Sequence, residues 1–444
     1  MTRRIALISE HASPLAVLGG IDAGGQNVYV AQVARHLAAQ GDLVDVYTRR
    51  DDSSLPVVVD RGPGFRVINV PAGPPVSIPK ERLLEHMPEF VRWMARDWTT
   101  RGRRYDLVHA NFFMSGQVAA ELRRALGVPF VVTFHALGKV RRIHQGPADG
   151  FPPEREHIET AVIAAADRII AECPQDQDDL IRLYGADPAR ISIVPCGFDP
   201  DEFHPRDQSG ARHRLGLSDD LPIVLQLGRI VPRKGIDTVI EAISLLRQVH
   251  GVAARLLIVG GPDRIVTAAS DPEMARLIEL AARREVTDLV TFVGRRDRAE
   301  LADYYAAADV FVSTPWYEPF GITPVEAMAS GTPVIGSDVG GIKYTVRDGE
   351  TGFLVPPRDP EALAHRLASL LSDRRLLTAF GVNGLARVRR AFTWRHVAMA
   401  LSDVYDGVLT ERRRELRRHI GRTDESASTA PARTRTGEHA TTAR

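Results

Sequence analysis

The stretch "DVFVSTPWYEPFGITPVEAMASGTPVIGSD", residues 309–338, contains the local pattern that decides the fold. A short apolar run leads into a turn with proline and glycine, an apolar helical segment follows, and a second apolar run ends the stretch. Continuous apolar runs are typical of parallel strands that helices cover on both faces. The stretch therefore predicts a strand, a helix and a second parallel strand, which is the repeating unit of a doubly wound sheet.

The same alternation runs along the chain. Strand-like runs begin with "RIALIS" at 4–9 and end with "GFLVPP" at 352–357. The pattern predicts an α/β fold of two Rossmann-like domains with parallel sheets. The helical patterns between the runs include those at 26–40, 80–98, 235–249 and 298–307.

A polar segment at 198–220, which contains prolines and little apolar periodicity, predicts a linker between the two halves. A single core rarely exceeds about 250–300 residues, so a chain of 444 residues favours two domains. We predict an N-terminal domain, a C-terminal domain, helices that pack back on the first domain, and a disordered tail rich in Ser, Thr, Ala and Arg. Their ranges are 1–205, 206–390, 391–420 and 421–444.

The composition is that of an ordinary globular protein, with 44% hydrophobic and 25% charged residues. A formal net charge of +1 gives no electrostatic reason to expect a nucleic-acid partner. The two cysteines, Cys173 and Cys196, exclude a disulfide scaffold and a cysteine-based zinc site. The sequence contains no apolar run of about 18 residues and no cleavable signal pattern, so we expect a cytoplasmic enzyme.

Ligands bind where the carboxyl ends of parallel strands meet, so the residues directly after strands are the candidates. In "GGIDAGGQNVYVAQVARHL", residues 19–37, a loop ends in Gly24-Gly25 and a helix begins near Gln26. The free backbone N–H groups at a helix start favour an anion. The alternative interpretation is a flexible loop in which a glycine merely begins the helix.

Cations follow the first strand of the second half in "LGRIVPRKGID", residues 227–237. Arg229 and Lys234 lie beside a helix start, where they can neutralise a diphosphate. The alternative is a pair of solvated surface charges.

A histidine ends a strand in "TFHALGKVRRIHQG", residues 133–146. The functional interpretation places His135 on a sugar and the following basic residues near an acceptor. The alternative is a buried histidine followed by a solvated basic loop. The basic residues are Lys139, Arg141, Arg142 and His144.

Two glutamates, Glu318 and Glu326, stand eight positions apart in the opening stretch. Glu318 lies on the turn, and the amides of residues 321–323 lie where the next helix begins, so a hydroxyl cluster can dock there. Glu326 lies on an otherwise apolar helix. A carboxylate in that position must be paired or face a ligand, because an unpaired buried charge is costly.

Taken together, these stretches resemble the retaining family-four glycosyltransferases. The spacing of Glu318 and Glu326 resembles the E-x(7)-E motif, and the glycine pairs at 24–25 and 340–341 support the likeness along most of the chain, from about residue 5 to residue 357. The first domain is similar to the branch that includes sucrose-phosphate synthases and the inositol-phosphate glycosyltransferases of mycothiol synthesis. "DAGGQNVYV" and "TFHALGKVRRIHQG" carry that likeness.

The resemblance implies a GT-B fold, in which two Rossmann-like domains face each other across a cleft and the second holds most of a nucleotide sugar. It implies that Arg229 and Lys234 bind the diphosphate, that Glu326 binds the ribose hydroxyls, and that Glu318 and His135 contact the donor sugar. Backbone groups around Phe320, Gly321 and Ile322 would assist Glu318, Gly25 would allow close approach to the backbone, and Arg295 would contact the base. The residues assigned to the acceptor are Gly24, Gln26, Asn27, Lys80, Thr133 and Lys139.

The chain departs from the inositol-phosphate branch at the acceptor side. Phe112 stands where that branch tends to have tyrosine, and Glu156 and His157 stand where an arginine pair is expected. These departures leave the acceptor open, although the basic run after His135 makes a sugar phosphate one candidate.

Catalysis would follow from stabilising the negative charge of a leaving nucleoside diphosphate. Retention of configuration is implied by the resemblance, through front-face attack in which the leaving phosphate takes the acceptor proton. Asp176 and Asp178 resemble a D-x-D metal motif, but they lie at a helix start and are interpreted as cap residues. We therefore predict no metal and no cofactor.

The predicted function is the transfer of a hexosyl unit from a nucleotide sugar, with a UDP-sugar favoured, to a hydroxyl of a small acceptor. One alternative is a transferase at a membrane surface that uses GDP-mannose and a lipid acceptor, because "TERRRELRRHI" at 410–420 has five arginines. That segment is also compatible with a solvated helix. A second alternative is a non-catalytic protein that binds sugar nucleotides. We predict no nucleic-acid partner and a monomer or homodimer.

Overall fold

The computed structural model describes residues 2–16, 24–267 and 271–428. Within these residues the chain forms two sheets with helices on their faces, and this confirms the predicted α/β, GT-B architecture. Residues 17–23, which include the first part of the predicted glycine loop, lie outside the described residues. So do residues 429–444 of the predicted tail.

The first sheet has the strand order β3-β4-β2-β1-β5-β6-β7-β8, and its strands are parallel except for the β3–β4 pair. Its central strands are almost entirely buried, because helices cover both faces. The strands are β1 (Arg4–Ile8), β2 (Leu43–Arg49), β3 (Val58–Asp60), β4 (Phe65–Val70), β5 (Leu107–Asn111), β6 (Phe130–Thr133), β7 (Arg168–Ala171) and β8 (Ile191–Ile193).

The second sheet has the order β11-β10-β9-β12-β13-β14 and is parallel throughout. In each sheet the strand order changes direction beside the first strand, β1 or β9, and such a point opens a crevice at the carboxyl ends of the strands. The strands are β9 (Ile223–Leu227), β10 (Arg255–Val259), β11 (Val290–Gly294), β12 (Val310–Ser313), β13 (Val334–Ser337) and β14 (Gly352–Val355).

The helices connect successive strands and close the ends of the two domains. Those of the first domain are α1 (Gly25–Ala39), α2 (Met87–Thr100), α3 (Phe113–Leu126), α4 (Gly138–Gln145), α5 (Glu154–Ala165) and α6 (Pro174–Tyr184). Those that follow are α7 (Gln208–Arg214), α8 (Ile236–Gln248), α9 (Pro272–Arg283), α10 (Arg298–Ala307), α11 (Ile322–Ala329), α12 (Gly340–Thr345), α13 (Pro360–Leu371), α14 (Arg374–Ala391) and α15 (Trp394–Ser428).

Each predicted strand contains an observed strand, but several details differ from the sequence prediction. The short edge strand β3 was not predicted; Val58 on it is exposed, so apolar burial does not mark it. The predicted helix at 80–98 is instead two short 3-10 turns followed by α2, whose first turn contains Pro88, a residue that fits only the start of a helix.

The predicted linker at 198–220 contains a helix, α7, that docks on α10 and β12. Its apolar contact is small, since Ala211 is buried against Ala306 and Ala307, and arginine side chains make its polar contacts. Arg212 donates to the carbonyl of Ala307 at 3.0 Å and to the carboxylate of Asp309 at 2.7 Å, and Arg214 pairs with Asp303 at 2.8 Å. A pattern search for apolar faces therefore could not find this helix.

The long C-terminal helix α15 returns to the first domain. Trp394 is buried at its start, with its ring 5.9 Å from the ring of Tyr29 in α1. The contact continues further along α15, where the Tyr405 hydroxyl lies 2.6 Å from Nδ1 of His109. The helix extends to Ser428, so residues 421–428, predicted to begin the disordered tail, are helical.

We expect Trp394→Ala to lower the free energy of unfolding by about 3–5 kcal/mol, because truncation leaves a cavity where α15 meets α1. Urea denaturation followed by circular dichroism would measure the loss. Met399→Ala on the same helix is the control, since Met399 is exposed and its truncation should change stability by less than about 0.5 kcal/mol. Equal losses in the two variants would contradict the proposed role of this packing.

Candidate active site

A cleft of about 300 Å³ lies between the carboxyl ends of the two sheets, and both domains line it. We call it the interdomain cleft. It brings together all of the predicted site residues except two. Those that line it are Gly24, Gly25, Gln26, Asn27, Lys80, His135, Arg229, Lys234, Arg295, Glu318, Phe320, Gly321, Ile322 and Glu326.

The start of α1 touches the second domain across the cleft. A methyl group placed on Gly25 would contact Ile322 at 3.4 Å, and one on Gly24 would lie 3.9 Å from Nε of Arg229. Asn27 stabilises this turn, because its side-chain oxygen accepts from the Gly24 N–H at 2.9 Å and its amide donates to the carbonyl of Ser13. The structure thus places Asn27 as a support of the glycine turn, while the glycines allow close approach of the two domains.

Lys234 and Glu318 form an ion pair in the interdomain cleft. Burial alone acts to raise the pKa of Glu318, but Lys234, with Arg233 and Arg229, lowers it below its ordinary value. Burial lowers the pKa of Lys234, and Glu318 opposes that change. The pair therefore keeps two opposite charges in a poorly hydrated site, where either can be redirected to a polar ligand.

Glycines position the turn that carries Glu318. Gly321 has a φ of 88° at the start of α11, which an L side chain rarely adopts. A methyl group on Gly341 would approach the carbonyl of Phe320 to 2.2 Å, and the Gly341 N–H donates to the carbonyl of Glu318 at 3.0 Å. The second glycine pair of the sequence thus acts structurally, by allowing α12 to press against the backbone of this turn.

Glu326 is buried on α11, and its two oxygens have different partners. Oε2 accepts a hydrogen bond from the Tyr305 hydroxyl at 3.0 Å. Oε1 lies 3.0 Å from Nη1 of Arg298, yet no donor among the described residues is aligned to hydrogen-bond to it. Burial raises the pKa of Glu326, and Arg298 and Tyr305 oppose this. Oε1 is thus ion-paired with Arg298 but has no well-aligned donor.

Buried polar atoms without partners are rare in folded proteins and call for an explanation. In the described part of the chain, three arginines that line the interdomain cleft have such a nitrogen: Nη1 of Arg233, Nε of Arg295 and Nη2 of Arg298. With Oε1 of Glu326 they form a set of unsatisfied donors and one acceptor, all on the second domain. This arrangement fits a ligand with phosphate, base and hydroxyl groups.

His135 lies at the cleft with both ring nitrogens engaged. Nδ1 is 2.9 Å from Oε1 of Glu172, and Nε2 is 3.0 Å from Oδ1 of Asn111. The Asn111 amide nitrogen faces two backbone carbonyls at 3.3 Å, which fixes its orientation. Both ring nitrogens of His135 are therefore already engaged by side chains of the first domain.

Two predicted acceptor residues, Thr133 and Lys139, lie away from the interdomain cleft. The Thr133 hydroxyl is buried against Nε2 of His109 at 2.8 Å, because its strand directs it into the core. Burial, with His135 nearby, lowers the pKa of His109 to about 3, so this histidine is neutral. Lys139 donates to the carbonyl of Leu183 at 2.6 Å and lies over the ring of Tyr184, on the side of α4 that faces α6.

The rest of the basic run divides between the cleft and its surroundings. Arg141 lines the cleft and is held by Asp149 at 2.7 Å, whereas Arg142 pairs with Glu156 at 3.3 Å. His144 stacks on Tyr317 of the second domain, with ring centroids 5.0 Å apart. Arg141 is thus the member of this run that is placed to meet a ligand, and Lys80 lines the same side.

The first-domain side of the cleft contains an arginine that the sequence analysis did not single out. Arg155, one position before Glu156, is buried beneath Phe112, with its guanidinium carbon 4.9 Å from that ring. It pairs with Glu159 at 2.8 Å, and Glu159 in turn accepts from the Gly138 N–H at 3.0 Å. Arg155 therefore supports the wall of the cleft from beneath, and the departure at Glu156 and His157 remains.

Other contributors to the site were also missed. Glu172 directly follows β7, so the rule that selected His135 could have found it. Tyr305 and Arg298 lie on α10, and no local pattern marks them, because only the packing of α10 against α11 brings them to Glu326.

No group of three or more His, Cys, Asp or Glu side chains is arranged to hold a metal in the described residues. The Asp176 carboxylate accepts from the Glu172 N–H at 2.9 Å, as expected of a residue in the first turn of α6. Metal independence stays a prediction. None of the helices in the described part of the chain combines the length and the apolar character that a membrane span needs.

Comparison with known proteins agrees with this geometry. The Glycosyltransferase Family 4 model matches residues 23–202, and the Glycosyl transferases group 1 model matches residues 207–387. The D-inositol 3-phosphate glycosyltransferase of Nocardia farcinica is 40% identical over 413 residues, which cover 92% of this chain and 90% of that protein. The D-inositol 3-phosphate glycosyltransferase 2 of Catenulispora acidiphila is 39% identical, over 91% and 95% of the two chains.

Among solved structures, the sucrose-phosphate synthase of Thermosynechococcus elongatus superposes with a TM-score of 0.84 at 38% identity. The match covers 92% of this chain and 100% of that chain. Both halves of the protein, and the cleft between them, thus have counterparts in enzymes of one family. The chain is a member of the family-four glycosyltransferases and has their GT-B fold.

Proposed function

We propose that the protein is a retaining, metal-independent glycosyltransferase that moves a hexosyl unit from a nucleoside diphosphate sugar to a hydroxyl of a small phosphorylated acceptor. The observation that carries the donor half is the set of arginine nitrogens without hydrogen-bond partners, together with the Glu326 oxygen that lacks an aligned donor, in one cleft. A nucleotide sugar offers matching groups, because it has a diphosphate, a base and two sets of hydroxyls. Uridine as the base is carried over from the resemblance alone.

The donor would lie along the second domain. Arg229 and Lys234 would meet the diphosphate, Glu318 the hydroxyls of the transferred sugar, and Glu326 the ribose. His135 would contact the transferred sugar from the first domain. The negative charge on the diphosphate grows as the glycosidic bond breaks, and cations already fixed by loops need no reorganisation to stabilise it.

The acceptor assignment rests on the relatives' names and on two cations. Relatives that match nearly the whole chain are named for inositol 3-phosphate or for sucrose phosphate. Lys80 and Arg141 line the first-domain side of the cleft, where a phosphate of the acceptor would be neutralised. The proposal includes front-face attack with retention, a cytoplasmic location, and a monomer or homodimer.

A panel of donors and acceptors tests the proposal directly. Purified protein would be incubated with UDP-, GDP- and ADP-sugars and with pairs of acceptors, an inositol or hexose phosphate against its unphosphorylated form. We expect release of UDP only with a phosphorylated acceptor, and nuclear magnetic resonance should show that the product keeps the anomeric configuration of the donor. Turnover only with GDP-mannose and a lipid acceptor, or nucleotide binding without turnover, would favour the two alternatives instead.

Loss of Lys234 should act mainly on turnover. We expect Lys234→Ala and Arg229→Ala each to lower kcat by about 10²–10³, because each removes a preorganised charge from the leaving diphosphate. Steady-state kinetics would measure the change, and thermal melting would show that the fold persists. Arg255→Ala is the control, since Arg255 pairs with Asp220 at the opposite end of the second sheet. Near-parental kcat in both cleft variants would remove the diphosphate role.

We expect activity to be unchanged by EDTA, because arginine and lysine side chains take the place of a cation at the diphosphate. Initial rates would be compared before and after chelation and after addition of Mn²⁺ or Mg²⁺. A loss of activity that either ion restores would show that the reaction needs a metal.

A further inference from the structure

Arg298, the first residue of α10, lies between two carboxylates at the edge of the interdomain cleft. Its Nη1 is 3.0 Å from Oε1 of Glu326, and its Nε donates to Oε2 of Glu202 at 2.5 Å. Burial acts to lower the pKa of Arg298, but Glu326 and Glu202 raise it above its ordinary value. The guanidinium is therefore a permanent cation beside Glu326.

The second carboxylate comes from the segment that joins the domains. Glu202 and Phe203 lie between β8 and α7, and the Phe203 ring packs against Arg298, whose guanidinium carbon is 4.9 Å from the ring centroid. The same ring meets Tyr305 edge-on at 5.6 Å, and Tyr305 donates to Glu326. Glu326 thus contacts Arg298 and Tyr305, and both of these contact Phe203. The contacts link α10, α11 and the connecting segment.

A buried carboxylate needs such support to stay charged. Among the described residues, the charged and titratable groups that act on Glu326 are Arg298 and Tyr305 from α10 and Glu202 from the connecting segment. Burial raises the pKa of Tyr305 well above its ordinary value, so this hydroxyl stays neutral and donates. Arg298 is then the only positive charge of the three, and it offsets the repulsion between the carboxylates of Glu202 and Glu326.

We propose that Arg298 is a positioning residue that holds Glu326 as an oriented carboxylate for the ribose hydroxyls of the donor, and that Glu202 and Phe203 fix Arg298 for this task. The inference rests on the proposed nucleotide-sugar function and adds to it a link between the ribose pocket and the segment that connects the domains. An anionic acceptor binds hydroxyls more strongly than a neutral carboxyl does. Removing Arg298 should therefore weaken ribose recognition while leaving the diphosphate contacts in place.

Calorimetric titration with UDP and 2′-deoxy-UDP tests this, with GDP and ADP pairs in parallel. The parent should prefer the ribonucleotide, and Arg298→Met should bind UDP about 10- to 100-fold more weakly, since hydrogen bonds to charged groups contribute about 1.5–3 kcal/mol each. Binding of the deoxynucleotide should change much less, so the preference for ribose should shrink. Arg298→Lys should restore part of it, because it keeps the charge.

The pH dependence gives a readout that a purely structural role would not produce. Without Arg298 the pKa of Glu326 rises further, so in Arg298→Met the UDP affinity should fall at a higher pH than in the parent as the solution is acidified. Glu202→Gln, which leaves the cation but weakens its anchor, should show a smaller loss of ribose preference. Arg214→Met is the matched control, because Arg214 pairs with α10 through Asp303 on the exposed side.

The outcomes separate the inference from the function on which it rests. If the parent protein binds none of the nucleoside diphosphates, the proposed function and the role of Arg298 are both wrong. If the parent distinguishes UDP from its deoxy form and Arg298→Met keeps the same ratio and the same pH dependence, the role of Arg298 is wrong and the proposed function stands. Thermal melting of each variant would confirm that binding is measured on folded protein.

Discussion

The ion pair between Lys234 and Glu318 is the interaction on which the donor side of the cleft depends. It joins the loop after β9 to the loop after β12. Backbone contacts make this possible, since Gly235 lies so close to Thr314 that a methyl group there would reach the Thr314 carbonyl, and the Trp316 N–H donates to the Arg233 carbonyl at 2.9 Å. Lys234 and Glu318 therefore neutralise each other, and backbone contacts between the two loops hold both side chains in place.

Glu318 is partly exposed and Glu326 is buried, and their surroundings shift the two pKa values in opposite directions. Lys234, with neighbouring arginines, lowers the pKa of Glu318, whereas the pKa of Glu326 is raised despite Arg298. Glu318 thus stays ionised because cations surround it. The ionised form of Glu326 depends on Arg298 and Tyr305, which offset the effect of burial. An arginine, a tyrosine and the connecting segment surround Glu326, and the proposed binding of ribose hydroxyls would require this carboxylate to remain charged.

Compared with the second domain, the first domain contributes fewer charged side chains to the cleft and more packing contacts around it. The glycine turn at the start of α1 meets α11 across the cleft, and α15 ties the end of the chain to the same helix α1 through Trp394 and Tyr29. The segment after β8 also reaches back, since the Phe198 N–H donates to the carbonyl of Phe392 at 2.8 Å. These contacts set the relation of the two sheets and so the width of the cleft.

The sequence by itself determined the strands other than the edge strand β3, the two-domain plan and most of the residues at the cleft. This succeeded because continuous apolar runs mark buried parallel strands, and residues that follow such strands share one edge. Tertiary structure alone decided that Thr133 and Lys139 turn away from the cleft, that α7 is held by arginine pairs, and that Arg298, Tyr305 and Glu172 join the site. The positions of these side chains depend on contacts between elements that are distant in the chain. A local sequence pattern does not indicate which helix packs against which.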